Sequence, residues 1–547
     1  MLFNSYIFQF GFLPIVLGGY YGFAHLIGAR AAKIWLCIAS LVFYGWWNPA
    51  FVLLLATSVA FNYLVSGHLV GEEAGGSAHQ GKILFAGVAA NLLLLFYYKY
   101  LFVLLGFFHE SGWLQLDAGS VILPLGISFF TFTQIGYLVD CREGLVRERG
   151  LVNYVLFATF FPHLIAGPIL HHREIMPQFA SDAAYRFRVE NLAVGLTLFA
   201  CGLAKKAILA DSIAPWADVG FAHVQHLSLL ESWSVALGYS MQLYFDFSGY
   251  SDMAIGLGIM FSIKMPLNFN SPYKSMCIID FWQRWHMTLT RYLTLLLYNP
   301  IALRVAHYRQ RVGLALNRKA AATVFGFASM IALPTFATMF LAGVWHGAGL
   351  QFIAYGLLHG LYLTVNHAWR VFRRPFVIPT SLRAMTLYSV AWRVVLTYCA
   401  VLIAQIFFRA SSASDAIELL SGMVGSHGTG LPLTVAAVGG HYLGPLQGWL
   451  LNQGVVSLGL AETYKVITAS LLQNSKLVLL LGVLAFGFPN VYQLLNDWSP
   501  ALTKVKPTRW RFVTWRPTPI FAVATGVLLA VAVLYCERAT RFLYFQF

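Results

Sequence analysis

Between Ala320 and Trp369 the chain runs for 50 residues without an Asp, Glu, Lys or Arg. A helix needs about 20 apolar residues to cross the hydrocarbon core of a bilayer, so this run has the length of two crossings. Extended chain is excluded there, because lipid offers no partner to backbone N–H and C=O groups. Arg304, Arg309, Arg311, Arg318 and Lys319 precede the run, and Arg370, Arg373 and Arg374 follow it. Basic flanks mark the cytoplasmic side, so both ends of the pair belong there and the turn between the helices lies well away from it. That turn falls in LAGVWHGAGL, residues 341 to 350, where His346 stands among Gly343, Gly347 and Gly349.

The rest of the chain follows the same rule. It is 59% hydrophobic and 10% charged, against about a quarter charged in a soluble domain. Apolar segments lie at 6–27, 34–46, 50–69, 83–108, 119–138, 191–210, 232–262, 279–303, 321–342, 349–368, 385–408, 477–495 and 517–536. A transmembrane barrel would instead show short alternating segments. The fold class is therefore all-α: a polytopic transmembrane helical bundle of about 11 to 14 spans, forming one integral membrane domain over 1–547. Met1 to Ala29 carries no basic n-region and reads as a retained helix rather than a cleaved signal. Residues 411–476, rich in glycine, read as an interfacial or loop region, Glu72 to Gln80 as a polar loop, and 477–547 as C-terminal helices. The net charge of +15 sits between spans, where it sets topology and meets anionic lipid or a phosphorylated cosubstrate rather than nucleic acid. Six scattered cysteines show neither a disulfide framework nor zinc-ligand spacing, and no metal is expected.

Leu151 to Leu170 departs from a simple span. Arg142, Arg147 and Arg149 precede it, Arg173, Arg186 and Arg188 follow it, and FFPHLIAGPIL contains Pro162, Gly167 and Pro168. Flanks of one sign and a broken backbone predict a re-entrant segment surrounded by protein or by a water-filled cavity.

Three stretches hold candidate chemistry. His346 is either a satisfied core imidazole or a functional group, and an ionisable residue at membrane depth favours the second. In DFWQRWHMTLTRYL, residues 280 to 293, helical spacing gathers Trp282, Trp285, His286 and Leu289 on one side; an interfacial Trp belt with snorkelling arginines is the plainer alternative. In YFDFSGYSD, residues 244 to 252, Asp246 and Asp252 need partners such as Arg284, or orient a catalytic group. A histidine can take a proton from a hydroxyl as that oxygen attacks a carbonyl. No nucleophile elbow, Walker loop or HExxH accompanies it, which favours direct transfer from an activated donor such as a thioester.

The ordered set PLGISFFTFTQIGYLVD (124–140), FFPHLIAGP (160–168), YFDFSGYSDMAIGLG (244–258), LNFNSPY (267–273), DFWQRWHMTLT (280–290) and GVWHG (343–347) resembles the membrane-bound O-acyltransferases (MBOAT), most of all their bacterial alginate O-acetyltransferase branch. The resemblance implies a catalytic core over 120–410 enclosing a transmembrane tunnel, with His346 at the family's essential histidine and His286 at its second position. There His286 would position the thioester or stabilise an oxyanion. Trp345, Trp285, His163, Asp246 and Asp252 would line or support the tunnel. The implied cosubstrate is acetyl-coenzyme A, or an acyl carrier protein, with no permanently bound cofactor. The Arg304, Arg309, Arg311, Arg318 and Lys319 cluster would meet the phosphates of coenzyme A, unless it serves topology alone. The acceptor would be an exopolysaccharide resembling alginate or cellulose, reached directly or through a periplasmic acetyl-relay protein, across the bacterial inner membrane. Two readings compete: a transporter or flippase using His346 and the two Asp residues as a relay, and an assembly partner in a secretion complex.

Overall fold

The computed structural model describes residues 1–70, 77–111, 121–146, 148–373, 387–428, 461–536 and Leu543, with the backbone alone at 110, 387 and 461–472. Arg147, Arg374, residues 72–76 of the polar loop and the glycine-rich stretch 429–460 lie outside them. No strand occurs among the described residues. In chain order the main helices are α1 (Ile7–Leu26), α2 (Ala29–Gly45), α3 (Ala50–Leu69), α4 (Ala78–His109), α5 (Ile127–Arg142), α6 (Leu151–Thr159), α7 (His172–Ala180), α8 (Val189–Ala222), α9 (Leu229–Met260), α10 (Ile278–Trp282) and α11 (Met287–Leu293), followed by α12 (Asn299–Arg311), α13 (Val324–His346), α14 (Leu350–Phe372), α15 (Leu387–Arg409), α16 (Ala413–Met423), α17 (Ala461–Gly487) and α18 (Pro519–Tyr535). Six of them, α1, α3, α4, α8, α13 and most of α15, are long and apolar enough to cross a membrane.

Several boundaries follow from local chemistry. Ser77 and Gln80 form a capping box that opens α4, and Ser228 and Glu231 form another that opens α9, each satisfying N–H groups that a helix start leaves unpaired. Of the segment expected at 119–138, residues 119 and 120 lie outside the described residues, and from 121 onwards it becomes helical only after Gly126, which is left-handed at φ 72°. A Cβ there would lie 2.7 Å from the Leu164 carbonyl oxygen, so the re-entrant chain packs directly on that turn. Residues 411–476, expected as interfacial structure, contain α16 and the start of α17; the last helix of this region therefore begins at Ala461 rather than near 477.

Helix α9 is the central post, buried from Ser240 to Met260. α8 lies along it at backbone contact: a Cβ on Gly249 would stand 2.7 Å from the Gly202 carbonyl oxygen. The expected pair across 320–369 forms as α13 and α14, with the turn at 347–349. They cross where Gly343 meets Gly356, and a Cβ on Gly343 would come 3.0 Å from the Gly356 Cα. Residues 151–170 form α6, a single turn at Phe161–Leu164 and irregular chain, buried throughout from Leu156. Its backbone is satisfied by side chains of other elements: Phe161 N–H donates to Ser40 Oγ at 3.2 Å and Ile169 N–H to Thr288 Oγ1 at 3.1 Å. This agrees with the rule that broken backbone at membrane depth must be enclosed by protein.

Gly249→Val, which drives a side chain into the α8 backbone, is expected to abolish a cooperative melting transition in detergent. Gly526→Val on α18, where among the described residues no atom beyond its own stretch of helix lies within 4 Å of an added Cβ, is expected to leave the transition unchanged.

Candidate active site

The two motifs LNFNSPY and DFWQRWHMTLT face each other. Met287 N–H donates to the Asn268 carbonyl at 2.9 Å, and Asn270 N–H donates to the Arg284 carbonyl at 2.9 Å. The clasp corrects the expectation of one helix over 279–303. α10 ends at Trp282, His286 turns left-handed at φ 42° and ψ 52°, and α11 starts at Met287. A non-glycine residue in this region costs on the order of 1–3 kcal/mol and persists only where its surroundings hold it. Trp282, Trp285, His286 and Leu289 still share one wall, reached through the break rather than by helical periodicity.

What holds the break is Asn268. Its Oδ1 lies 3.0 Å from His286 Nδ1, 2.9 Å from Thr288 Oγ1 and 3.4 Å from the Thr288 backbone nitrogen. A backbone N–H only donates, so the atom it faces is the carboxamide oxygen, and His286 Nδ1 must carry a proton to meet it. The lone pair of a neutral His286 is then on Nε2, which is buried without a hydrogen-bond partner among the described residues. Phe247 packs edge-on to the ring at 4.8 Å.

His286 shares a cavity with His346, His359, Trp282, Trp285, Tyr355, Gln405 and Asp246. It is narrow, with about 30 Å³ open to the centre of a water-sized sphere, which is space for one or two waters or a short acyl group. His346 ends α13, wedged between Tyr355 (ring centres 5.7 Å, 90°) and Phe408 (5.0 Å, 81°). Trp345 stacks on Phe132 of α5 at 5.0 Å and tilts against the His346 ring at 4.6 Å, so it supports the cavity without lining it.

Residues that sequence reasoning passed over secure this end of α13. Lys99 Nζ donates to the carbonyls of Trp345 at 2.5 Å and His346 at 2.9 Å, and Tyr100 hydroxyl to that of Val344 at 2.9 Å. Both belong to a π-helical turn, Tyr97–Leu101, whose wider coil lets two consecutive residues reach one target. A cation suits the C-terminal carbonyls of a helix. The signal was present: Lys99 is the one charged residue between 83 and 108.

The carboxylates pair with lysines, not with Arg284, which instead holds Asp280 at 2.7 Å. Lys205 meets Asp252 at 2.6 Å, and Tyr492 donates to the same carboxylate at 2.8 Å. Lys206 meets Asp246 at 2.6 Å and Asp211 at 2.8 Å. These lysines also lie on a π-helical turn, Lys205–Ala210. Asp246 borders the cavity and accepts from the backbone N–H of Leu543 at 3.1 Å, whereas Asp252 serves the α8–α9 contact.

The remaining candidates lie apart from the cavity. His163 is buried, with Nε2 2.9 Å from the Phe157 carbonyl, a support of the re-entrant segment. Within the basic cluster Arg309 is buried and committed to Ser329 Oγ and the Ala315 carbonyl; Arg304, Arg311, Arg318 and Lys319 are exposed. A further group, Asp140, His171 and His172, brings both imidazoles to 3.0 Å from Asp140 Oδ2. His171 Nδ1 accepts from Arg173 N–H, so Nε2 bears the proton towards Asp140 and the group is a hydrogen-bonded triad. Burial pushes the Asp140 carboxyl up, and the two histidines outweigh it and hold it at about 2.

Comparison with known proteins agrees with the motifs. Residues 141–313 match the model of the membrane-bound O-acyltransferase family. The chain is 39% identical over 461 residues to the peptidoglycan O-acetyltransferase of Helicobacter pylori, covering 79% of this chain and 81% of that protein. It is 36% identical over 428 residues to the probable alginate O-acetylase of Pseudomonas aeruginosa, covering 77% and 75%. With the teichoic acid D-alanyltransferase of Bacillus subtilis it shares 28% over 328 residues, 60% of this chain and 78% of that one.

Asn268→Leu removes the acceptor that three donors share and is expected to cost about 2–3 kcal/mol, read as a lower melting midpoint in detergent. Asn268→Asp, which keeps an oxygen there, is expected to melt close to the wild type. An unchanged midpoint for the leucine variant would remove Asn268 as the support of the turn.

Proposed function

Because this chain belongs to the membrane-bound O-acyltransferase family, we propose that it is the membrane step of polysaccharide O-acetylation, taking acetyl from a cytoplasmic acetyl-coenzyme A thioester and passing it across the bacterial inner membrane. Acyltransferase activity itself follows from membership; donor, direction and acceptor are the proposal. The observation that carries it is the narrow cavity that His346 lines together with a His286 of fixed tautomer.

In this reading the pantetheine arm enters a tunnel through the bundle from the cytoplasm and brings the thioester carbonyl to His346, while the acceptor hydroxyl arrives from the other side. His346 takes the hydroxyl proton as the oxygen attacks the carbonyl carbon. The tetrahedral intermediate then collapses, the C–S bond breaks, and the thiolate recovers the proton from His346. His286, with its lone pair on Nε2, suits accepting a hydrogen bond from the incoming hydroxyl rather than donating one to an oxyanion. A site with space for one or two waters limits hydrolysis of the thioester. Arg304, Arg311, Arg318 and Lys319 are exposed, as groups that meet the donor phosphates would be.

The acceptor is read as an exopolysaccharide, directly or through a periplasmic acetyl-relay protein, by analogy with the alginate O-acetylase relative. The Helicobacter relative supports a second reading, a cell-wall glycan.

The test uses purified protein with acetyl-coenzyme A labelled on the acetyl group. Wild type is expected to release thiol, and His346→Ala, folded by its melting curve, to lose at least about 100-fold. A folded wild type that turns over neither acetyl-coenzyme A nor an acetylated carrier protein would favour the transporter reading. Replacing the four exposed basic residues with alanine is expected to raise the apparent KM for acetyl-coenzyme A; an unchanged value removes their phosphate role.

A further inference from the structure

We propose that His359 is the hydrogen-bond donor of the site, presenting Nε2–H to the thioester carbonyl oxygen as that oxygen gains charge; the proposal rests on the acyltransferase reading above. His359 lies on α14 one turn beyond Tyr355, is 1% exposed and lines the cavity with His286 and His346. Trp282 Nε1 lies 3.2 Å from its Nδ1. An indole N–H can only donate, so Nδ1 accepts, and a neutral His359 carries its proton on Nε2. The rings around it fix its plane: Phe281 lies parallel at 6.3 Å, Trp282 edge-on at 5.0 Å and Tyr355 edge-on at 4.7 Å.

His286 and His359 are thus set in opposite tautomers by two different partners. Asn268 leaves His286 with a lone pair, and Trp282 leaves His359 with an N–H. Beside its base, acyl transfer uses both kinds of group: an acceptor for the hydroxyl, and a pre-aimed donor for the oxygen that becomes negative. As the hydroxyl oxygen bonds to the carbonyl carbon, the C=O π pair moves onto the carbonyl oxygen, which the His359 N–H holds by a hydrogen bond. On collapse the pair re-forms the carbonyl and the thiolate leaves. His359 keeps its proton throughout, and His346 alone carries the one that moves. Gln405 is the less available donor, because its amide nitrogen already donates to the Tyr273 hydroxyl at 3.1 Å; the Tyr355 phenol is the remaining competitor.

The experiment compares kcat and donor KM for thiol release in His359→Ala, His359→Gln, Trp282→Phe and Tyr355→Phe, each checked by its melting curve. Expected for His359→Ala is a fall in kcat of about 100-fold or more with donor KM within about threefold. His359→Gln, whose amide N–H can take the place of Nε2–H, is expected to recover at least tenfold of that loss. Trp282→Phe, which frees the tautomer, is expected to lower kcat with KM unchanged. The assignment is overturned if His359→Ala keeps kcat within about threefold, if the loss appears in KM, if glutamine recovers nothing, or if Tyr355→Phe produces the loss instead. Should His359→Ala fail to fold, the assignment stands only if His359→Gln keeps kcat within about tenfold of the wild type and Trp282→Phe lowers kcat with KM unchanged, and is overturned otherwise. Absence of thiol release from the wild type would overturn the acyltransferase reading along with this one; loss of the His359 assignment alone leaves that reading standing.

Discussion

One carboxamide oxygen decides the shape of the site. Asn268 Oδ1 collects a side-chain N–H from His286, a hydroxyl from Thr288 and a backbone N–H from Thr288. Without that acceptor a left-handed His286 would strand three polar groups in an apolar interior, and an unbroken helix would be the better structure. With it, the break between α10 and α11 is stable and the imidazole has a fixed tautomer. Thr288 extends the arrangement by accepting from Ile169, tying the re-entrant segment to the same point. Geometry and proton placement therefore have a common cause.

The charged residues of the core follow the same economy. Lys99, Lys205 and Lys206 all stand on π-helical turns, where the wider coil lets neighbouring side chains converge. Lys205 and Lys206 find carboxylates, whereas Lys99 finds the carbonyls at the end of α13. The second arrangement places an ammonium directly behind the backbone of His346 without a carboxylate competing for the imidazole. Arg291 and Glu174, bidentate at 2.6 and 3.0 Å, tie α11 to α7 from outside. His286 and His346 are thus each anchored on the side facing away from the cavity.

The fold was largely legible from apolar run lengths. Ala50–Leu69 matches its expected span to the residue, and the α13–α14 pair with His346 before its turn follows from 50 uncharged residues flanked by arginine. The break at His286 was not legible, because its cause lies 18 residues earlier in a loop and because DFWQRWHMTLT has acceptable helix periodicity. The partners of Asp246 and Asp252 were missed because Lys205 and Lys206 stand outside the motif that holds the carboxylates. His359 lay within the same uncharged run as His346, so the argument from membrane depth applied equally; what distinguishes it is the Trp282 contact, a long-range fact. Asn268 and Trp282 sit inside quoted motifs, yet their roles depend on which atom faces which, and a sequence carries no such direction.

The Lys99 cap also has a consequence in time. Its acceptors lie 246 and 247 residues further along the chain. Helix α4 therefore enters the bilayer with an ammonium whose final partners have not yet been synthesised, and a lysine near the middle of a span costs about 2.5–3.5 kcal/mol on insertion scales. Snorkelling or local water has to carry that charge until α13 arrives. The His346 end of α13 is thus completed by an element that has been waiting since the first fifth of translation, which makes closure of the cavity a late event in biogenesis.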